Sequence, residues 1–300
     1  MKALDVDWIA VDWGTSHVRA WALDQGGAVL GRAASDQGMS GLKPTEYQPA
    51  LVNMVQAWLS DRTTPVIACG MVGARQGWIE AAYLHAPCAP QVADRFVQAP
   101  SSDARLQVWI TPGVAQADPA DVMRGEETQI AGFLTNRPDF QGMICLPGTH
   151  AKWVAVADGQ IQHFTTAMTG EVFALLADQS VLRHTAGQGW NDGAFADAVR
   201  QSHADPDALM ARLFSVRAEA LLADPAPGAA RARLSGLLIG AEIAAVQATG
   251  HIVLLGDQTL SRHYETALQE LGLTTEVVDI EATTLDGLRH AKALLDRSGQ

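Results

Sequence analysis

The chain has 300 residues, of which 48% are hydrophobic, and its formal net charge is −12 at pH 7. This length and apolar content predict one large or two modest folded domains and exclude a disordered chain. The acidic balance argues against nonspecific nucleic-acid binding, and no apolar run is long enough to cross a bilayer. Three separated cysteines (Cys69, Cys88, Cys145) and an N-terminus without a charged leader predict free thiols in a cytoplasmic protein.

The opening stretch "IAVDWGTSHVR" is an apolar strand that ends in a carboxylate and a tight turn. Gly14 permits a close backbone approach, and the amides and hydroxyls at Thr15 and Ser16 can donate hydrogen bonds to a phosphate. Arg19 adds a positive charge. Asp12 would repel phosphate unless a hydrated Mg²⁺ lay between them, and Mg²⁺ often uses a single carboxylate. The alternative interpretation is an ordinary strand end followed by a turn.

The next segments alternate between strand and helix patterns. "VRAWALDQGGAVLGRA" predicts a hairpin and "YQPALVNMVQAWL" predicts a helix. Thr64–Gly70 and Leu106–Val114 predict buried strands. The small and polar residues of Ala115–Asp121 predict a crossing between two domains, which we place at residues 1–120 and 121–300. The last helix is expected to return to the first domain.

A glycine-rich loop, "GMVGARQGW", follows the strand that ends at Gly70. Ligands bind at the carboxyl ends of strands in α/β sheets, so this loop is a candidate substrate site. Gly70 and Met71 would supply backbone, Arg75 a charge, Gln76 an amide and Trp78 an apolar wall. The alternative for an arginine in such a loop is simple solvation.

The segment "RGEETQIAGFLT" predicts a helix that opens with two acids, Glu126 and Glu127. Acids at this position stabilise the positive end of the helix dipole, which is the structural interpretation.

A second hairpin pattern, "GMICLPGTHAKWVAVADGQIQHF", repeats the arrangement of the first: apolar strand, Gly-Thr turn, strand. Gly148 and Thr149 form the turn, and His150 and Lys152 follow closely. The segment is not a Walker loop, because Lys152 enters a strand rather than a helix. Two such turns could contact one phosphate chain from opposite sides.

Three features complete the chain. Ser235–Ala248 predicts a helix that is capped by Ser235 and packs closely through small residues. "LLGDQTLS" is a strand, a turn at Gly256 and a helix, where an adenosine could approach the backbone. The last predicted helix begins near Thr283, whose spacing to Asp286 suits a capping box.

In this order, the D-x-G-T hairpin, the G-T hairpin and the late G-x-x-x-S turn resemble the actin-like ATPase superfamily of sugar kinases, Hsp70 and actin. More closely, "IAVDWGTSHVRAW", "GMVGARQGW", "MRGEETQ", "LPGTHAKWV", "MTGE" and "SGLLIGAE" resemble the 2-dehydro-3-deoxygalactonokinase family over nearly the whole chain. The resemblance implies an α/β protein with the actin-like ATPase (ribonuclease H-like) fold. It implies two domains with mixed, five-stranded-type sheets flanked by helices, and an active site in the cleft between them.

The resemblance also implies a phosphotransferase that uses ATP and Mg²⁺. Its substrate would be 2-dehydro-3-deoxy-D-galactonate, phosphorylated on the C6 hydroxyl during galactonate catabolism. The alternatives are a kinase of the same fold for a related acid such as 2-dehydro-3-deoxygluconate, and a non-catalytic nucleotide or sugar sensor. A chaperone or filament protein would need extra subdomains or a peptide-binding domain, and 300 residues leave little room for them. A homodimer is left open.

By resemblance, Glu126 matches an acid that accepts the sugar hydroxyl's proton in larger sugar kinases, where it is Asp, and Glu127 is an equally close neighbour. Asp12 would hold Mg²⁺ through water, and Arg19 would face the transferring phosphate. The expected nucleotide contacts are Gly14, Thr15, Ser16, Gly148, Thr149, His150, Lys152 and Gly256. The expected substrate contacts are Gly70, Met71, Arg75, Gln76, Trp78, Arg124, Thr169 and Glu171.

Overall fold

The computed structural model describes residues 5–223 and 226–299. Residues 1–4, 224–225 and 300, which the predicted domain ranges include, lie outside the described residues. The described chain forms two compact units. Unit 1 comprises residues 5–141, 157–163 and 280–299, and unit 2 comprises the remainder, from residue 142 to residue 279. Within the described ranges, no helix has the length and apolarity needed to cross a membrane.

Strands and helices alternate along the chain. The strands are β1 (Trp8–Trp13), β2 (Val18–Leu23), β3 (Val29–Ser35), β4 (Thr64–Gly70), β5 (Leu84–His85), β6 (Val97–Gln98), β7 (Leu106–Ile110), β8 (Val114–Ala117), β9 (Ala120–Met123), β10 (Gly142–Leu146), β11 (Ala151–Ala157), β12 (Gln160–Ala167), β13 (His251–Gly256) and β14 (Thr274–Asp279). The helices are α1 (Tyr47–Val55), α2 (Glu126–Asn136), α3 (Thr169–Asp178), α4 (Arg183–Ala186), α5 (Asp192–Ala204), α6 (Leu209–Leu222), α7 (Ala229–Ala245), α8 (Gln258–Glu270) and α9 (Ile280–Ser298).

The main sheet of unit 1 has the strand order β3-β2-β1-β4-β7-β6. Strand β1 lies inside it, antiparallel to β2 and parallel to β4. Every residue of β1 except Asp12 is buried, which explains why it reads as an apolar run. The register places Asp12 opposite Arg19 on β2 and opposite Cys69 on β4. The acid therefore stands at the carboxyl end of β1 with a cation on one side and a thiol on the other.

The sheet that contains β10 repeats this pattern, with the order β12-β11-β10-β13-β14. Its central strand β10 is antiparallel to β11 and parallel to β13, as β1 is to β2 and β4. This repeated mixed topology confirms the predicted α/β, actin-like ATPase fold class. The sheet of unit 1 has six strands rather than five, because the short β6 pairs antiparallel along the edge of β7.

The segment expected to link the domains forms a hairpin instead. The apolar run Leu106–Val114 is interrupted, since β7 ends at Ile110 and β8 starts at Val114. Strands β8 and β9 then pair across Ala117 and Ala120 in a small sheet with β5. The two units divide between residues 141 and 142 rather than between 120 and 121, because α2 packs against α9 within unit 1.

Two predicted helix starts are wrong. Helix α7 begins at Ala229, after Gly228 in a left-handed conformation (φ +74°), so Ser235 lies inside the helix rather than at its cap. Helix α9 begins at Ile280, and Thr283 donates its hydroxyl to the carbonyl of Ile280. Both helices extend further toward the N-terminus than their apolar patterns indicate.

Helices α2 and α9 cross with their backbones in contact. A Cβ on Gly132 would lie 1.9 Å from the carbonyl oxygen of Thr283, and a Cβ on Gly287 would lie 1.9 Å from that of Thr128. Carbon and oxygen cannot approach so closely, so each position requires glycine. This crossing holds α2, which carries Glu126 and Glu127, against the rest of unit 1.

Gly287→Ala is expected to lower the free energy of unfolding by at least about 2 kcal/mol, because the crossing must open to admit the methyl group. Helix propensity alone would favour alanine by about 1 kcal/mol, so the sign of the change in unfolding free energy shows which of the two effects is larger. Urea unfolding measures the change. Gly41→Ala is the matched control, since a Cβ there meets nothing within 4 Å. Equal stability of both variants would contradict the close crossing.

Candidate active site

The turn after β1 is held in place by a second backbone segment. The amide of Gly14 donates to the carbonyl of His17 (2.8 Å), and the amide of Met39 donates to the carbonyl of Gly14 (3.0 Å). A Cβ on Gly38 would lie 2.3 Å from the carbonyl carbon of Ser16, so glycine is required there. Nothing in the sequence pattern had marked Gly38.

The predicted phosphate donors of this turn face solvent. The side chains of Thr15 and Ser16 are exposed. The carbonyl of Thr15 accepts hydrogen bonds from both the amide (3.0 Å) and the hydroxyl (2.9 Å) of Ser40. The turn therefore has a fixed backbone and two outward hydroxyls, which is the arrangement expected of an anion-binding turn.

Asp12 is paired in the structure. Its Oδ2 accepts a hydrogen bond from Nη2 of Arg19 at 2.8 Å, and the Sγ of Cys69 lies 3.9 Å from its Oδ1. The aspartate side chain is 14% exposed and that of the arginine 42%. Arg19 therefore contacts the acid itself, and both groups can still be reached by a ligand.

The residues around Asp12 fit a Mg²⁺ ion that is held largely by water and phosphate. The carboxylate is partly exposed and stands beside the turn that carries the hydroxyls of Thr15 and Ser16. Within residues 5–223 and 226–299, no cluster of three His, Cys, Asp or Glu side chains forms a metal cage. Mg²⁺ is commonly bound by one carboxylate together with waters and substrate phosphates, so a single acid suffices.

Two glycines bring α2 to the end of β4. Gly70 has φ +87°, and a Cβ there would lie 2.6 Å from the carbonyl oxygen of Trp13. Gly125, just before α2, has φ +113°, and its Cβ would lie 3.4 Å from the Cα of Gly70. The N-terminus of α2 thus abuts the strand whose neighbour carries Asp12.

The two acids at this N-terminus have different surroundings. Glu127 is fully buried; its Oε2 accepts from the amide of Gly125 (2.6 Å) and its Oε1 from the hydroxyl of Thr128 (3.0 Å). Burial, followed by the neighbouring Glu126, raises the pKa of Glu127 to about 8. Glu126 is only partly buried, and its Oε2 accepts from the amide of Arg124 (3.0 Å). Of the two, Glu126 can be reached from solvent.

The glycine-rich loop divides into an exposed part and a core part. Arg75 and Gln76 are exposed, and Nε of Arg75 lies 3.6 Å from a carboxylate oxygen of Glu80. Met71 is half-buried in a short 3₁₀ turn. The structure places Trp78 in the core, with its ring stacked on Tyr47 at 6.2 Å between centroids.

Arg124 is buried rather than presented on the surface. Its Nη2 donates to the carbonyl of Ala81 at 2.8 Å, and its guanidinium lies 4.3 Å from the centre of the Tyr83 ring. Nε and Nη1 are also buried and have no hydrogen-bond partner among the described residues. This cation is held in place, and it supports the backbone that leads to Gly125.

In unit 2, the N-terminus of α3 supports the second Gly-Thr turn. The amide of Glu171 donates to the carbonyl of Thr149 (3.0 Å), and Nε2 of His150 lies 2.5 Å from Oε2 of Glu171. A Cβ on Gly170 would lie 2.4 Å from the carbonyl oxygen of Gly148. Glu171, expected to contact substrate, therefore contacts the turn expected to hold nucleotide phosphates.

Lys152 and Gly256 are both buried in unit 2. Lys152 is 6% exposed, and its Nζ donates to the hydroxyl of Thr166 at 2.7 Å. Gly256 ends β13, and a Cβ there would lie 2.7 Å from the Oγ of Ser261 and 3.1 Å from Cδ of Pro147. Glycine at this position lets β13, α8 and the approach to the second turn pack together.

A pocket opens beside the second turn. Gly148 and Thr169 line one side of it. The rings of Trp190 and His263 stack 4.0 Å apart, and Arg231 lies 4.9 Å from the Phe173 ring centre. The apolar and aromatic walls of the pocket, together with a few polar groups, suit a flat organic ring such as that of a nucleoside.

A buried acid underlies this pocket. Glu242 of α7 accepts hydrogen bonds from Nε1 of Trp153 (2.6 Å), from the hydroxyl of Tyr264 (2.9 Å) and from the side chain of Thr169. Burial raises the pKa of Glu242. The acid joins three elements, β11, α8 and α3. A lone acid inside the apolar run "SGLLIGAEIAA" was the one available sequence signal for it.

Comparison with known proteins identifies close relatives. A family model described as 2-keto-3-deoxy-galactonokinase matches residues 12–291. A relative from Rhizobium meliloti (strain 1021), named "Probable 2-dehydro-3-deoxygalactonokinase", is 40% identical over 293 residues, covering 94% of this chain and 95% of that protein. A 2-dehydro-3-deoxygalactonokinase from Escherichia coli (strain K12) is 33% identical over 289 residues, covering 94% of this chain and 96% of that protein.

A solved structure has the same fold over almost its whole length. It comes from Sinorhizobium meliloti and is described as "a putative 2-dehydro-3-deoxygalactonokinase protein". It is 40% identical to this chain, with a TM-score of 0.90, and the match covers 95% of this chain and 97% of that one.

Glu127 makes the stability of the protein depend on pH. Its pKa is about 8 in the folded state and near 4.5 when unfolded, so the folded protein holds one more proton between these values. Stability from this group is therefore fully present below pH 4.5 and falls as the pH rises through 8, by about 2–4 kcal/mol. Urea unfolding of wild type and Glu127→Gln at pH 5.5 and 8.5 measures it.

The glutamine variant is expected to show a smaller loss between the two pH values than wild type. Glu80→Gln, which alters an exposed acid of the same unit, is the control and should keep the wild-type slope. Identical slopes for wild type and Glu127→Gln would show that the buried carboxyl does not hold the extra proton.

Proposed function

The chain belongs to the 2-keto-3-deoxy-galactonokinase family, and on that premise we propose that it transfers a phosphoryl group from ATP to 2-dehydro-3-deoxy-D-galactonate. The acceptor is the terminal C6 hydroxyl, and the products are ADP and the 6-phospho sugar acid. The enzyme is thus a phosphotransferase with an alcohol as acceptor, and it serves galactonate catabolism. The proposed enzyme is a cytoplasmic homodimer. Its proposed partners are ATP and the sugar acid, and they include neither nucleic acid nor a membrane.

One observation carries the assignment of roles: of the two acids at the start of α2, only Glu126 can be reached from solvent. Glu127 is fully buried, with both carboxyl oxygens accepting hydrogen bonds from its own segment. Glu126 stands beside it, at the helix end that contacts Gly70. The sequence alone left the two acids equivalent, and their burial separates them.

In the proposed reaction, Glu126 accepts the proton of the C6 hydroxyl while the hydroxyl oxygen forms a bond to the γ-phosphorus of ATP. The bond between that phosphorus and the bridging oxygen breaks, and ADP leaves with the electron pair. Positioning and charge stabilisation matter more than base strength in such transfers. Mg²⁺, held by Asp12 through water, would neutralise charge that develops on the phosphates. Arg19, paired with Asp12 in the structure, fixes that carboxylate and adds a positive charge.

The nucleotide contacts are proposed in unit 2. The backbone of Gly148 and Thr149 binds phosphate, and the adjoining pocket with its stacked Trp190 and His263 takes the adenosine. Glu242 keeps Thr169 at the mouth of this pocket through a hydrogen bond. The sugar acid is proposed to contact the loop of unit 1 that presents Arg75 and Gln76.

The activity is tested by measuring ADP release from the purified enzyme over a panel of sugar acids. 2-Dehydro-3-deoxy-D-galactonate is expected to give the highest kcat/KM, and Glu126→Gln is expected to lower kcat by roughly 100-fold or more. The variant should bind ATP as well as wild type in calorimetry. A higher kcat/KM with 2-dehydro-3-deoxygluconate would reassign the substrate. Full turnover by Glu126→Gln would show that this residue is not the base.

The nucleotide pocket predicts a selective effect on one substrate. Trp190→Ala is expected to raise KM for ATP about tenfold, the loss of one stacked ring contact, and to leave KM for the sugar acid unchanged. Trp58→Ala is the control, because it removes a partly buried tryptophan from unit 1. A rise in KM for the sugar acid alone would place the adenosine elsewhere.

A further inference from the structure

Helix α6 in unit 2 presents a line of large apolar side chains to solvent. Met210, Phe214 and Leu221 are 78%, 61% and 67% exposed, whereas Val216 on another face of the same helix is 1% exposed and packs in the core. Arg217 completes the line. We call these four positions (210, 214, 217 and 221) the α6 stripe. Contiguous exposed apolar side chains indicate an interaction site more often than scattered single ones do.

The stripe has the spacing of a helix-pairing seam. Its members lie four, three and four residues apart, which is the alternation that brings two helices together along their length. Ala211 and Ala218 flank it, and such small side chains let another helix approach closely. Arg217 donates to the carbonyl of Val181 (3.4 Å), and Val181 is itself 45% exposed, so the apolar surface extends beyond the helix.

The stripe is complementary to itself when read in the opposite direction. With a twofold axis between positions 215 and 216, Met210 opposes the partner's Leu221, and Phe214 opposes the partner's Arg217. The first pair is apolar, and the second places a guanidinium over an aromatic ring, a favourable cation–π arrangement. A twofold interface requires such self-matching, because the same patch lies on both chains. A contact from one residue to a second residue of the partner therefore always occurs together with the reverse contact.

We propose that a second copy of this chain covers the α6 stripe, with the two α6 helices antiparallel, to form a homodimer. The stripe supplies three large apolar side chains toward an interface of about 800 Å² per partner, the size that stable dimers commonly have. A membrane surface fits poorly, because the net charge of −12 would be repelled by anionic lipid. The proposal does not depend on the kinase activity, since none of the four stripe residues has a role in the reaction.

Sedimentation velocity tests the oligomeric state. Wild type is expected at twice the 31.9 kDa monomer mass. Phe214→Lys is expected to raise the dimer dissociation constant at least about thirtyfold, because it places an ammonium group opposite the partner's Arg217 at the centre of the seam. Leu222→Lys is the matched control: Leu222 is 88% exposed on the same helix but off the stripe, and the variant should stay dimeric. All three proteins should keep the wild-type kcat.

Crosslinking tests the antiparallel register. Met210→Cys and Leu221→Cys are prepared separately in a Cys88→Ser background, since Cys69 and Cys145 are buried. After mild oxidation, the mixture is expected to form a disulfide-linked dimer, while each variant alone should not. A monomeric wild type would overturn the proposal. So would a dimer that persists in Phe214→Lys, or crosslinking by either cysteine variant alone.

Discussion

The close approach of Gly125 to Gly70 is the constraint on which the unit 1 site depends. Both residues have positive φ values, and a side chain on Gly70 would meet the carbonyl of Trp13. Because Gly125 lies beside Gly70, helix α2 begins next to the end of β4, and β4 pairs with the strand that carries Asp12. Because α2 begins there, its first residue, Glu126, can face solvent, while the next residue, Glu127, enters the core. The different surroundings of Glu126 and Glu127 follow from this geometry.

Each unit has a buried carboxyl that joins segments next to its candidate site residues. Glu127 ties the turn at Gly125 to Thr128, and Glu242 ties Thr169 to Trp153 and Tyr264. Burying such a group is costly unless its oxygens accept hydrogen bonds, and both do. The raised pKa of each acid is the sign of that cost. In return, the segments that they join have one arrangement, which a transfer reaction with strict geometry requires.

The sequence predicted those parts of the fold that have strong local patterns. Strand β4 has the predicted bounds, and α2 begins at the predicted pair of acids, because apolar runs and charged first turns are local signals. The start of α7 was missed, since Gly228 in a left-handed conformation gives no periodic signal. The hairpin at Ala115–Asp121 was missed for a related reason: small polar residues in a tight hairpin resemble a linker in composition.

The residues of the candidate site also fall into some that the sequence could predict and others that it could not. Asp12 and Glu126 could be named from motif and resemblance, but burial alone separates Glu126 from its neighbour, and no spacing encodes burial. Trp78 was expected as a substrate wall and lies in the core, because one aromatic in a loop does not reveal which way it turns. A crystal structure with the sugar acid, Mg²⁺ and a nonhydrolysable ATP analogue tests the central claim most directly. The account predicts the C6 hydroxyl within hydrogen-bond distance of the Glu126 carboxylate. A hydroxyl that lies against Glu127, or against neither acid of α2, would contradict it.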